Sequence, residues 1–518
     1  MSSPRGKYEE IEKKPKVIRR LGPSEAYQLG KHTLKQYFGT AVACRYLVPR
    51  SLGSPEPYEK LVDVFESAVA QAVLEHPLLQ VGLVGEHSRT PTWIQLGSVD
   101  FRNHVEWKAA ESSEEFDSLF RETLQSQLDT EFADLGSRPG WRMSVLHQKE
   151  AGFLEVIYCF NHPASDGTGA KIFHQTLLRC LNNRATDDAR SRLLKDRVLE
   201  LPESLDHFIP AQHKITKFPV TAGYAAKALW KDVRPPFLSK NPSHATWAPY
   251  RTSPNKTRLG WFSIGQPALQ RVLAECRRQR TTLTGLLHAL CFISLAPELG
   301  ESEARAFAAT TAVNTRQFLP SNPPAYPWLE LNKVVGNFTS AIFHEFDEEL
   351  VALVRSNMCG GSASDLPQDE RLKSIAWEVA SGVRRKIEVD LRLGVKNNIL
   401  SLMKFVDVFG SWKAHLKDHV RTPRELSWLV TNLGVLDGTV RGGTSEGTED
   451  AEAWRIAHAQ FALGADVASA VFQVSPIAVK AGDLVMCCSW QDCVIDSDLA
   501  ERFVANLERW MKHLGSPS

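Results

Sequence analysis

The chain has 518 residues, 43% of them hydrophobic, and 61 basic against 60 acidic side chains leave a formal charge of +1. That length and apolar content suit two or three domains around a large core and exclude a disordered or fibrous chain. The near-zero charge leaves no global field to gather nucleic acid or an acidic membrane.

In chain order, a short basic run at 13–20 reads as a solvated arm. A helix is predicted over Tyr58–Glu75, with strands around Val81 and Trp93 and a helix over about 116–128. Phe153–Phe160 is apolar and rich in β-formers, which predicts a largely buried strand, while Ile172, Phe173, Leu177, Leu178 and Leu181 recur at helical spacing just after it. Residues 231–256 carry Pro235, Pro236, Pro242, Pro249 and Pro254 with little periodicity, as an extended surface connection would. Beyond it come a strand at 259–264, helices at 267–279 and Leu283–Leu295, a strand before Asn314, and late strands near Ala468 and Leu484. Residues 319–328 form a proline-rich loop, either pinned by Tyr326 and Trp328 or lining an entrance, and 441–450 reads as a Gly- and acid-rich insertion. Strands mixed with helices in both halves predict an α/β fold, with halves at 1–230 and 257–518.

The most informative stretch is His162 to Gly167, between that strand and that helix. A His and an Asp four residues apart would share a face of a continuous helix and could ligate a metal. Pro163 and Gly167 instead suit a turn, so the two side chains need not point to one place. The imidazole then suits a general base, since its unperturbed pKa of about 6.5 leaves much of it neutral at physiological pH. Asp166 suits a brace, accepting free N–H groups at a helix start. A hydrogen-bonded structural role is the competing reading for both.

The stretch HPASDG resembles the HxxxDG motif of the chloramphenicol acetyltransferase-like superfamily, and the chain looks most like its fungal alcohol acetyltransferase family. RRLGPSEAYQLGKH (19–32), EHPLL (75–79), TTLTGLLHAL (281–290), AVNTRQFLP (312–320), VGNFTS (335–340) and TNLG (431–434) are similar to that family's landmarks and follow its order. The resemblance implies two chloramphenicol acetyltransferase-like subdomains with a tunnel between them and His162 at its middle. It implies an O-acyltransferase, most simply acetyl transfer from acetyl-CoA to a small alcohol or a hydroxyl of a secondary metabolite. His162 would take the hydroxyl proton without an acyl-enzyme intermediate. Asp166 and Gly167 would shape the loop, and Arg316 would pair with Asp166 as an arginine does in relatives. Thr431 and Asn432 are candidate oxyanion donors, although Asn-x-Gly is also ordinary turn chemistry. Plant relatives carry a DFGWG-like motif near here; this chain has NLGVLDG (432–438), which leaves the thioester contacts open.

Phosphate-loop, dinucleotide, GxSxG and HExxH patterns are absent, so no bound cofactor or metal is expected beyond acetyl-CoA as co-substrate. His76, His174 and His288 read as structural or exposed. The nine cysteines give no disulfide framework or CxxC pair, and no run approaches the roughly 18 apolar residues of a membrane span. A soluble, cytoplasmic monomer is expected, with an acyl-CoA donor and an alcohol acceptor as partners. Three alternatives keep the fold: a condensation-like catalyst using a carrier-protein thioester or making an amide, an isomerase, and a silent binding module.

Overall fold

A computed structural model of the chain describes residues 15–52, 58–148, 151–183, 193–233, 241–357, 370–403, 411–439 and 452–517. The insertion at 441–450 and part of the basic arm and of the 231–256 connection lie outside them.

Two sheets organise the chain. The first has five strands in the order Arg455–Leu463, Thr40–Leu47, Phe153–Phe160, Trp141–Gln148, Val105–Ala110. The second runs Thr257–Ile264, Leu484–Gln491, Phe472–Val479, Trp428–Val430, Phe307–Asn314, Thr339–Phe346, and Val435–Leu436 also pairs with Phe472–Val479. Because it is central, Phe153–Phe160 is apolar save for the buried Glu155, which pairs with Arg45 at 2.8 Å. It pairs antiparallel with Thr40–Leu47 on one side and with Trp141–Gln148 on the other. Its Leu154, Val156, Tyr158 and Phe160 enter one core and Ile157 and Cys159 the core on the opposite face. A strand buried on both faces has no polar alternation to show.

The helix Gly167–Asn182 follows and buries Ile172, Phe173, Leu177, Leu178 and Leu181 in the first of these cores, with Phe173 stacked on Tyr158 at 4.1 Å. In the C-terminal half, the helix Leu283–Leu295 is apolar nearly all round and sits inside its own core, as such a helix must. Its neighbour is the 24-residue helix Glu370–Leu393.

Three sequence expectations change. The late strands are Arg455–Leu463, Phe472–Val479 and Leu484–Gln491, so the strand expected at Leu484 forms while Ala468 lies in the connection between the first two. Residues 241–256 do not simply cross the surface, because Ala245 and Ala248 are fully buried against the C-terminal core. The two halves also exchange chain: Arg455–Leu463, from after residue 257, is the edge strand of the first sheet, paired with Thr40–Leu47. That exchange clamps the halves together beside the motif. Among the described residues no helix is long and apolar enough to cross a membrane.

Candidate active site

The strand Phe153–Phe160 ends where Pro163 removes a backbone donor, and a tight turn follows, with Ala164 N–H donating to the Asn161 carbonyl at 3.0 Å. His162 projects from this turn. Its Nδ1 lies 2.9 Å from the Ser165 carbonyl. A carbonyl can only accept, so Nδ1 carries the hydrogen and the neutral ring keeps its lone pair on Nε2. Nε2 has no protein partner among the described residues, and the residue is half-buried. Phe160 packs edge-on at 6.2 Å and Tyr37 at 6.1 Å between ring centres. Burial holds the imidazole below its ordinary pKa; the Asp166 charge pulls it up and the Lys31 charge down. A neutral, oriented imidazole with a free Nε2 can accept a proton.

Asp166 caps the helix Gly167–Asn182 with extended backbone, and its Oδ1 accepts from Gly169 N–H at 2.7 Å. Oδ2 accepts from Arg316 Nη1 at 2.8 Å and from Phe338 N–H at 2.7 Å. Both oxygens are thus engaged away from His162. The pair therefore presents neither two metal ligands nor a proton relay. Arg316 follows the strand Phe307–Asn314, is 3% exposed, and also donates from Nη2 to the Gly336 carbonyl at 2.9 Å. Its guanidinium lies over the Phe338 ring at 4.4 Å. One ion pair thereby fixes the motif loop to the C-terminal half and to residues 334–338.

Gly167 is needed for close approach: a Cβ there would sit 2.5 Å from Leu433 Cδ2 and 3.0 Å from Phe461 Cζ. From the same helix Lys171 Nζ donates to the Leu433 and Val435 carbonyls at 2.7 and 2.9 Å. Residues 431–434 are so held against the start of the motif helix.

The two oxyanion candidates face different ways. Thr431 and Leu433 N–H donate to the Val474 and Pro476 carbonyls at 2.9 and 3.1 Å, which continues the strand alternation past Val430. Trp428 bonds His288 and Asn432 bonds Thr284, both on Leu283–Leu295, so even positions face that helix. Thr431 lies with Leu433 on the Gly167 side. Asn432 is occupied: Oδ1 accepts from Gly434 N–H at 2.8 Å, closing a turn in which Gly434 has φ +67, and Nδ2 lies 3.2 Å from Thr284 Oγ1. Thr431's backbone N–H is spent in the sheet, which leaves its hydroxyl as the group on the motif side.

The other histidines are internal. His76 bonds Thr176, His174 bonds Tyr46 and the Val42 carbonyl, and His288 bonds Thr311 and Trp428. The 319–328 loop is pinned, with Trp328 stacked on His207 at 4.8 Å and packed with Tyr326 against the core beneath. Sequence reasoning missed Tyr37 beside His162 and the Lys31–Asp466 pair behind it; Lys31 lies within the 19–32 landmark and Tyr37 just past it, but nothing marks Asp466.

A family model described as alcohol acetyltransferase matches residues 105–349, which include the motif and Arg316. A probable alcohol acetyltransferase, FCK4, of Fusarium pseudograminearum (strain CS3096) is 28% identical over 511 residues, covering 97% of this chain and 96% of that one. The probable alcohol acetyltransferase crmB of Aspergillus fumigatus (strain ATCC MYA-4609 / CBS 101355 / FGSC A1100 / Af293) is 23% identical, covering 93% and 96%. The solved TRI3 trichothecene 15-O-acetyltransferase from Fusarium sporotrichioides superposes with a TM-score of 0.70 over 96% of this chain and 94% of that one, at 14% identity, which establishes the shared two-lobed fold. Residues 105–349 of the chain are thus similar to the alcohol acetyltransferase family.

Proposed function

We propose that this protein transfers acetyl from acetyl-CoA to a hydroxyl of a small alcohol or secondary metabolite, with His162 as general base. The observation that carries the reading is the His162 Nδ1 to Ser165 carbonyl bond, which aims an unpartnered Nε2 away from its own loop. In this mechanism Nε2 takes the acceptor's hydroxyl proton as the oxygen attacks the thioester carbonyl. The tetrahedral intermediate collapses, the carbon–sulfur bond breaks, and the thiolate leaves with that proton returned from Nε2. The Thr431 hydroxyl is the donor proposed for the oxyanion, and Asn432 holds the turn that carries it. Asp166, Gly167 and Arg316 keep the loop in place without touching the reacting atoms. The chemistry needs no resident cofactor. The name of the Fusarium sporotrichioides protein, a trichothecene 15-O-acetyltransferase, supports an oxygenated metabolite as acceptor.

The test is incubation of purified protein with fungal metabolite extract and isotopically labelled acetyl-CoA, beside a parallel reaction with acetyl-loaded carrier protein. The reading expects a small-molecule ester that gains the label from the CoA thioester. Label transfer from the carrier alone, or conversion of a metabolite with no thioester present, would replace it with a condensation or isomerase function.

A further inference from the structure

Lys31 is a buried ammonium beside the proposed base. It is 5% exposed, and its Nζ lies 2.7 Å from Asp466 Oδ2. The two residues are 435 positions apart, Lys31 on the helix Pro23–Thr33 and Asp466 just past the exchanged strand Arg455–Leu463. The Tyr27 and Tyr37 rings complete the ammonium's surroundings at 4.9 and 6.0 Å. Tyr37, 3% exposed and tied through its hydroxyl to Thr40, lies between Lys31 and the His162 ring. Asp466 Oδ1 is buried without a protein partner. A pair so buried is a weak source of stability, since both charges lose water. Its placement calls for another role.

We propose that the Lys31–Asp466 pair is a positioning unit for His162, holding Tyr37 against the imidazole and biasing that ring towards its neutral form. That role rests on His162 acting as the base. The charged groups around the ring are few. On the motif loop Asp166 is offset by Arg316; from the opposite side come Lys31 and, behind it, Asp466, with Tyr37 kept neutral because burial pushes its pKa up. Burial alone would favour the uncharged form of Lys31, but Asp466 and Tyr27 more than offset it, so the cation persists. A positive charge here discourages a second proton on His162.

The experiment compares the pH dependence of kcat/KM in wild type, Lys31→Met, Asp466→Asn and the double variant. Without the ammonium, the positive charge that disfavours protonation of His162 is gone and the Asp466 carboxylate behind it is left uncompensated, so the acid limb moves to higher pH by on the order of half to one unit. Asp466→Asn moves the limb to lower pH, and the double variant returns it close to wild type. Opposite shifts support the unit, because a purely structural pair lowers turnover or folded yield without moving the limb. Should Lys31→Met not fold, Asp466→Asn and the double variant still carry the sign. An acid limb at its wild-type position in every folded variant overturns the proposal. A wild type with no acid limb of its own would instead overturn the base reading.

Discussion

Asp166→Asn offers the sharpest structural test. The carboxylate accepts three hydrogen bonds, from Gly169 N–H, Phe338 N–H and Arg316 Nη1. An asparagine amide has one oxygen and one NH2, so in either orientation an NH2 meets a donor. With the oxygen on Gly169, the NH2 faces both Phe338 N–H and Arg316; with the oxygen on those two, it faces Gly169 N–H. Arg316 is in addition left as a buried, uncompensated cation, its side chain 1% exposed. Breaking such a pair costs about 3–5 kcal/mol, and a stranded N–H about 1–3 kcal/mol where it is not already part of that cost. We therefore expect Asp166→Asn to destabilise by about 3–5 kcal/mol. Arg316→Met alone strands the carboxylate by a similar amount. The double variant should lose much less than the sum, giving a coupling of at least about 2 kcal/mol. Urea unfolding of the four proteins measures this, with acetyl transfer followed alongside. Losses that add to within about 0.5 kcal/mol would refute the brace.

Thr431→Val should slow turnover by about 100-fold to 1000-fold if the hydroxyl supplies the oxyanion donor. Asn432→Ala should act on the turn, lowering the unfolding midpoint more than the chemical step; steady-state kinetics showing the reverse ranking would reassign the donor to Asn432. Gly167→Ala forces a methyl onto Leu433 and Phe461, which should cost about 1–3 kcal/mol and displace the 431–434 loop, read as a lower melting temperature with reduced turnover. Acid should unfold the protein early. Burial lowers His32, His76, His104, His174, His344 and His458 to about 4. Their folded values lie below the unfolded value, so this stability is complete above about pH 6.5 and is lost as pH falls towards 4, each histidine adding up to about 1.4 kcal/mol per pH unit. A melting temperature that stays flat from pH 7 to 5 would contradict that sum.

What the sequence shows is what local forces determine. The helices Tyr58–Glu75 and Leu283–Leu295 and the strand Phe153–Phe160 lie where their apolar spacing predicts, because each buries its own pattern. The loop at His162 is legible for the same reason: Pro163 ends the strand and Asp166 caps the helix through neighbours in sequence. The Asp166–Arg316 contact spans 150 residues, and only the resemblance to known acyltransferases suggests it. The contact between Lys31 and Asp466 lies beyond both sources, since the strand exchange that joins them follows from pairing between Arg455–Leu463 and Thr40–Leu47, a register that composition does not encode. The different facings of Thr431 and Asn432 are likewise set by hydrogen bonds to Val474 and Pro476, across the sheet.

The most direct test of the central claim is single-turnover acetyl transfer by His162→Ala, with CoA binding measured by calorimetry on the same preparation. The substitution removes Nε2 and the bond to the Ser165 carbonyl but leaves the Asp166–Arg316 brace and the three cores intact. The account predicts a folded protein that binds CoA with near wild-type affinity and transfers acetyl at least about 100-fold more slowly, with the acid limb of the wild-type profile gone. Acetyl transfer at the wild-type rate by folded His162→Ala protein would contradict it.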